Sequence, residues 1–190
     1  MGSDVVSAVR SALLADPRVS AVEFVGSRAN GTAQPLSDWD FAVECREFEA
    51  LAQDLPALVE PLEPLSMQWD PLGTVRTFML MLEGPMKVDL IFDVPQEEEG
   101  PPWVATPENR RAIDDHFWDW ILWLAAKDAA GKAALLESEL ERMHRHLLGP
   151  LGVERRPASV DEALDAYLAV RREPSALERA VLPAVRRRGA

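Results

Sequence analysis

The chain has 190 residues, 47% of them apolar, enough to fill the core of one substantial domain or two small ones. Acidic residues outnumber basic ones 32 to 20, a formal charge of −12, which argues against gripping nucleic acid through its phosphates and favours a cationic partner, although solubility alone would account for it. The sequence has no apolar run of about 18 residues, and Asp4 stands where a secretory signal would carry basic residues, so neither membrane insertion nor export is expected and the location should be cytoplasmic.

In chain order, Asp4 is placed to cap a helix over 5–14, where Val5, Val6, Val9 and Leu13 recur at helical spacing, and Asp16-Pro17 ends it. A strand is expected at 20–25, then a loop or short helix after Gly26-Ser27, then a strand over 38–44 (DWDFAVE), which alternates as a strand does. The lone cysteine, Cys45, sits in a predicted strand and reads as a small buried hydrophobe. A helix at 48–59 and strands at 65–69, 74–82 and 86–92 follow, separated by proline or glycine, and these strands should make one mixed sheet. The stretch VPQEEEGPPW at 94–103 cannot hold a helix or a central strand, so it marks a boundary between a domain at 1–95 and another at 104–190, with Glu97–Glu99 a solvated linker. Beyond it only helical patterns recur, at 107–128, 132–148, 159–171 and 175–188, and the closing RRRG reads as a solvated helix end. The fold class is therefore α+β, a mixed sheet with flanking helices followed by an all-helical part.

The chemistry sits in FVGSRANGTAQPLSDWDFAVE. Alternation along a strand puts Asp38 and Asp40 on one face and turns Trp39 and Phe41 to the other. Two adjacent carboxylates repel unless a cation lies between them, and all-oxygen ligation suits magnesium. Asp89, flanked by Val88 and Leu90 in KVDLIF, is a second costly carboxylate in an apolar strand and offers a third ligand. Gly26 lets backbone approach a phosphate closely, Ser27 adds a hydroxyl and an amide, and Arg28 brings a cation. Together these groups describe nucleotidyl transfer.

G-S, ten residues, D-x-D, and a later strand reading apolar-Asp-apolar resemble the nucleotidyltransferases of the DNA-polymerase-beta superfamily, above all small bacterial aminoglycoside adenylyltransferases and minimal transferases paired with helical toxins. The resemblance covers about residues 20–93 and implies that family's mixed sheet. It further implies that Asp38, Asp40 and Asp89 are catalytic and bind Mg2+, that Gly26 and Ser27 hold the triphosphate of ATP, and that Asp89 or another carboxylate deprotonates the acceptor hydroxyl. More thinly, DHFWDWILWLAAKD is similar to the aromatic-rich helix of the antibiotic adenylyltransferases, which makes Lys127 the candidate for reaching the nucleotide phosphates. His116, Trp120, Trp123 and Lys127 share one stripe that could line a pocket, while Phe117, Ile121 and Leu124 form a packing stripe.

Blander readings stand beside these. A D-x-D pair alone is common, Arg28 beside Asn30-Gly31 reads equally well as a solvated turn residue, and tryptophans at helical spacing usually fill a core. His116, His144 and His146 lack zinc-site spacing and read as solvated, and Asp114, Asp115 and Asp119 read as charges that suit the start of a helix. The expected activity is transfer of AMP from ATP to a hydroxyl of a small cationic acceptor resembling an aminoglycoside antibiotic, with no nucleic acid and no membrane as partner. Two alternatives are an antitoxin-type transferase that adenylylates a protein and a non-catalytic nucleotide-binding module. A homodimer that completes the pocket is compatible with the sequence without being indicated by it.

Overall fold

The alternation of DWDFAVE folds as expected, and its apolar positions Phe41 and Val43 are fully or nearly fully buried. The structure, a computed structural model, describes residues 2–97 and 104–187, so the expected linker and the terminal basic run lie partly outside the described residues, at 98–103 and 188–189. The elements are α1 (Gly2–Leu14), β1 (Val19–Val25), α2 (Gly26–Ala29), β2 (Trp39–Cys45), α3 (Phe48–Val59), β3 (Ser66–Trp69), β4 (Val75–Leu82), β5 (Met86–Pro95), α4 (Arg110–Ala129), α5 (Ala133–Met143), α6 (Val160–Val170) and α7 (Ala176–Arg187). A 3-10 turn at Glu60–Leu62 follows α3, and a π-helical turn at His144–Leu148 extends α5. They form two compact units: α1 to β5 make the first, and residues 34–37 cluster with the helices of the second.

In the first unit five strands form one mixed sheet in the order β1-β2-β5-β4-β3, with β2 and β5 parallel and the other pairs antiparallel. Val22, Phe41, Val43, Phe78, Leu80, Val88, Leu90 and Phe92 project from the sheet into one core. Val9 and Leu13 of α1, with Leu51, Leu55 and Val59 of α3, reach it at the i, i+4 spacing that aligns side chains on one helix face. Burying each such side chain stabilises by roughly 1.5–3 kcal/mol, and Leu55, fully buried, would cost about 2–5 kcal/mol on truncation to alanine. The opposite face of β2 and β5 carries Asp40 and Asp89, so the core packing of one face fixes where the carboxylates of the other can stand.

In the second unit α4 packs against α5, α6 and α7. Phe117 stacks on Tyr167 at 3.6 Å between ring centroids, and the edge of Trp118 meets the same ring at 5.9 Å. Asp114 accepts from both neighbours, 2.5 Å from the Tyr167 hydroxyl and 2.9 Å from Trp118 Nε1. The α6 start is a capping arrangement, in which Ser159 Oγ accepts from the Glu162 amide at 3.1 Å. Among the described residues no helix is long and apolar enough to cross a membrane.

Three sequence expectations are corrected. Asp4 lies inside the first turn of α1 instead of capping it. None of Asp114, Asp115 and Asp119 is in the first turn of α4, where the helix dipole would reward a negative charge, and Asp119 is buried in mid-helix. His116 and His146 are buried, not solvated, at 4% and 2% exposure. The π turn is the reason for His146: widening the helix there turns His146, Leu147 and Leu148 all inward, and His146 Nε2 accepts from the Arg145 guanidinium at 3.1 Å.

Candidate active site

Because β2 and β5 run parallel in the register Trp39↔Val88 and Asp40↔Asp89, the two aspartates are direct neighbours on one face of the sheet. Asp38, one residue before β2, joins them, and one oxygen from each of Asp38, Asp40 and Asp89 lies within 4.8 Å of the others. Asp38 is the most enclosed, at 7% exposure. Three carboxylates held this close repel one another, and a cation among them relieves that repulsion.

The turn beside them is shaped by the same contact. Val25 pairs with Asp40 at the sheet edge, and Gly26 follows it with φ +75°. A Cβ on Gly26 would stand 2.0 Å from Asp40 Oδ2, so only glycine leaves the carboxylate its place. The chain then makes one helical turn, α2, closed where the Asn30 amide donates to Gly26 O at 3.2 Å and the Thr32 amide to Ser27 O at 2.9 Å. Gly26, Ser27 and Arg28 are thereby held immediately next to the carboxylate cluster.

Arg28 is not a solvated turn residue. Its guanidinium lies 4.4 Å from the centroid of the Trp39 ring, which in turn stacks on Phe24 at 5.7 Å. Burial pushes the Arg28 pKa down, and the charges of Asp38 and Asp40 oppose that shift.

Sequence reasoning missed Lys87. It sits two residues before Asp89 on the same face of β5, is 6% exposed, and its ammonium contacts both carboxylate oxygens of Asp89. The signal was the period-2 alternation of KVD, which puts a cation and an anion side by side on a strand. With Lys87 counted, three carboxylates and one ammonium leave a formal charge of −2. An all-oxygen donor set of three clustered carboxylates fits a hard divalent cation such as Mg2+.

Lys127 is in the second unit, in the last turn of α4, with its Nζ 4.8 Å from the centroid of the Trp123 ring. On the same stripe His116 meets the edge of Trp120 at 5.6 Å, and Trp120 Nε1 donates to Glu139 of α5 at 3.2 Å. Trp120 is therefore a packing residue of the helical unit.

No protein-family model and no curated protein matches the chain. Among solved structures it is similar to the polymerase core of TRAMP, an RNA surveillance complex, at 12% identity and a TM-score of 0.39, over 87% of this chain and 54% of that one. It is also similar to an aminoglycoside 6-adenyltransferase from Bacillus subtilis, at 13% identity and a TM-score of 0.33, over 75% of this chain and 61% of that one. The chain thus spans less than two thirds of the length of either structure.

Proposed function

We propose that this chain is a magnesium-dependent nucleotidyltransferase that moves AMP from ATP to a hydroxyl of a small, cationic, aminoglycoside-like acceptor. The observation that carries the reading is the convergence of Asp38, Asp40 and Asp89 to within 4.8 Å, next to the Gly26-Ser27 turn. The G-S and D-x-D pattern of the sequence, which resembles the polymerase-beta superfamily, supports it independently of the geometry.

The chain's own residues then divide the work. Asp38, Asp40 and Asp89 would hold the metal, and a bound magnesium ion would draw triphosphate and acceptor oxygens together and offset the charge that develops on them. Gly26, by lacking a side chain, leaves the Asp40 carboxylate its place, and Ser27 offers its amide and hydroxyl to the triphosphate. Arg28 is the cation beside the cluster assigned to phosphate oxygens, and Lys127 of the second unit is the further candidate that the family resemblance supplies. The acceptor oxygen bonds to the α-phosphorus as the α–β bridging bond breaks, and pyrophosphate leaves with the bonding electrons. The acceptor proton passes to a carboxylate, Asp89 or another, as the family resemblance implies. Lys87 holds the Asp89 carboxylate in place against the strand. No covalent enzyme intermediate is needed, since positioning and charge compensation supply most of the catalysis in phosphoryl and nucleotidyl transfer.

Binding can be tested apart from turnover. A non-hydrolysable ATP analogue with Mg2+ should raise the melting temperature of the full chain, since a ligand at about 100 times its Kd stabilises by about 2.7 kcal/mol. The same analogue in EDTA should give little or no rise, and an unchanged melting temperature with metal and nucleotide together would contradict the reading.

A further inference from the structure

The helical unit contains a cavity of about 390 Å3 between the start of α4 and the α6–α7 connection, unrelated to the carboxylate cluster by any residue they share. Four arginines line it, Arg110, Arg111, Arg171 and Arg172, in a chain whose formal charge is −12. The geometry points to a second site there, one that binds a small organic phosphate.

The cations are not all committed to the fold. Arg171 is held by Glu178, with Nη2 2.7 Å from Oε1, and Arg111 lies 3.6 Å from Asp115. Asp114, the carboxylate deepest in the lining, is engaged by the Tyr167 hydroxyl and the Trp118 indole. Burial raises the Tyr167 hydroxyl far above its ordinary pKa, so it remains a donor to Asp114. Arg110 is different: its Nε is buried with no hydrogen-bond partner among the described residues. Arg172 is exposed at the rim and makes no ion pair among the described residues.

Placement makes the excess harder to explain by folding alone. Arg110 and Arg111 open a 20-residue helix that has no acidic residue in its first turn, where the positive end of the dipole disfavours cations. Asn109, the residue at the cap, makes no side-chain cap bond, because its Oδ1 accepts from the Thr106 amide at 2.9 Å. Uncapped amides, two misplaced cations and a buried guanidinium nitrogen without an acceptor all lack the same thing, an anion. Guanidinium forks match phosphate oxygens in pairs, which favours a phosphate over a spherical anion. The remaining wall joins the apolar Ile113, Leu151, Val170 and Pro174 to Ser175 and the exposed Glu173, whose single charge leaves the arginines in excess, and the volume is that of a small-molecule pocket. An organic body attached to the phosphate would fill it.

This assignment does not depend on the nucleotidyltransferase reading. Its test is calorimetric titration of phenyl phosphate into the full chain in EDTA, where metal-dependent binding at the carboxylate cluster is silent. Saturable binding is expected, weakened about 10-fold or more by Arg110→Gln and about 3-fold by Arg172→Gln. It should persist in Asp40→Asn, and inorganic phosphate should bind more weakly than phenyl phosphate. Absence of saturable binding, wild-type affinity in both arginine variants, or loss of binding in Asp40→Asn would overturn the assignment. If Arg110→Gln fails to fold, the exposed Arg172→Gln decides the question, and wild-type affinity there would overturn it.

Discussion

Gly26 and Asp40 exclude each other's freedom: a Cβ on Gly26 would stand 2.0 Å from Asp40 Oδ2, and Gly26 holds φ +75°. The glycine is therefore a condition of the carboxylate's position and not only of the turn. Gly26→Ala should lose roughly 1–3 kcal/mol of stability from strain at positive φ. It should also lower turnover far more than that strain would, since a shift of about 1 Å at a reacting centre costs on the order of 100-fold. Urea unfolding and turnover measured on the same preparation check both parts.

Asp40→Asn should behave oppositely on stability. It removes one of three clustered negative charges, so without metal the variant should be more stable than the parent by about 1 kcal/mol, or roughly 2–4 °C in melting temperature for a chain of this size. Mg2+ should raise the melting temperature of the parent and leave the variant nearly unmoved. Melting curves in EDTA and in Mg2+ test this, and an equal rise in both proteins would remove Asp40 from the metal site.

Lys87 supplies the one ammonium that touches Asp89 within the first unit's strand β5, and it is 6% exposed. Lys87→Met leaves the three carboxylates without it, at a cost of about 3 kcal/mol for a broken buried pair. Because Mg2+ can replace the missing positive charge, the variant should recover more stability on adding Mg2+ than the parent gains. A loss that Mg2+ does not touch would mean that Lys87 acts on strand packing instead of on the cluster's charge.

Two carboxylates should bend the pH profile of stability in opposite directions. Side-chain hydrogen bonds from Arg18, then its backbone amide, hold the Asp16 carboxyl down at about 2 against an ordinary 3.8. Its contribution is therefore present above about pH 4 and disappears as pH falls toward 2. Burial, partly offset by Arg111, lifts Asp115 to about 6. The folded state then binds the extra proton, so the Asp115 contribution is complete below its unfolded pKa and is lost as pH rises through about 6. Unfolding of Asp16→Asn and Asp115→Asn across pH 2 to 8 reads both: the first should converge on the parent in acid, and the second should gain on it toward neutral pH.

The strands were legible because in DWDFAVE and MKVDLIF Phe41 and Val43, and Val88, Leu90 and Phe92, recur at period two and pack on one core face, which fixes register and hence the meeting of Asp40 with Asp89. Lys87 was not read although its spacing from Asp89 was visible, because a charged residue at a strand end ordinarily faces solvent and only the assembled sheet shows it enclosed. His146 escaped for a different reason. A π turn adds a residue to the helical period, and a 3.6-residue template applied across it assigns the wrong face. Arg110 and the cavity it lines depend on elements far apart in sequence, from α4 to the α6–α7 connection, and no local pattern announces them.

The most direct test of the central claim is pyrophosphate release from ATP in Mg2+, measured over a panel of aminoglycosides and other hydroxylated cations for the parent chain and Asp40→Asn. Release that requires one of these acceptors and falls by about 1,000-fold or more in the variant is the expected result. Release at parental rate in Asp40→Asn, or no release with any acceptor, would contradict the assignment of the carboxylate cluster to nucleotidyl transfer.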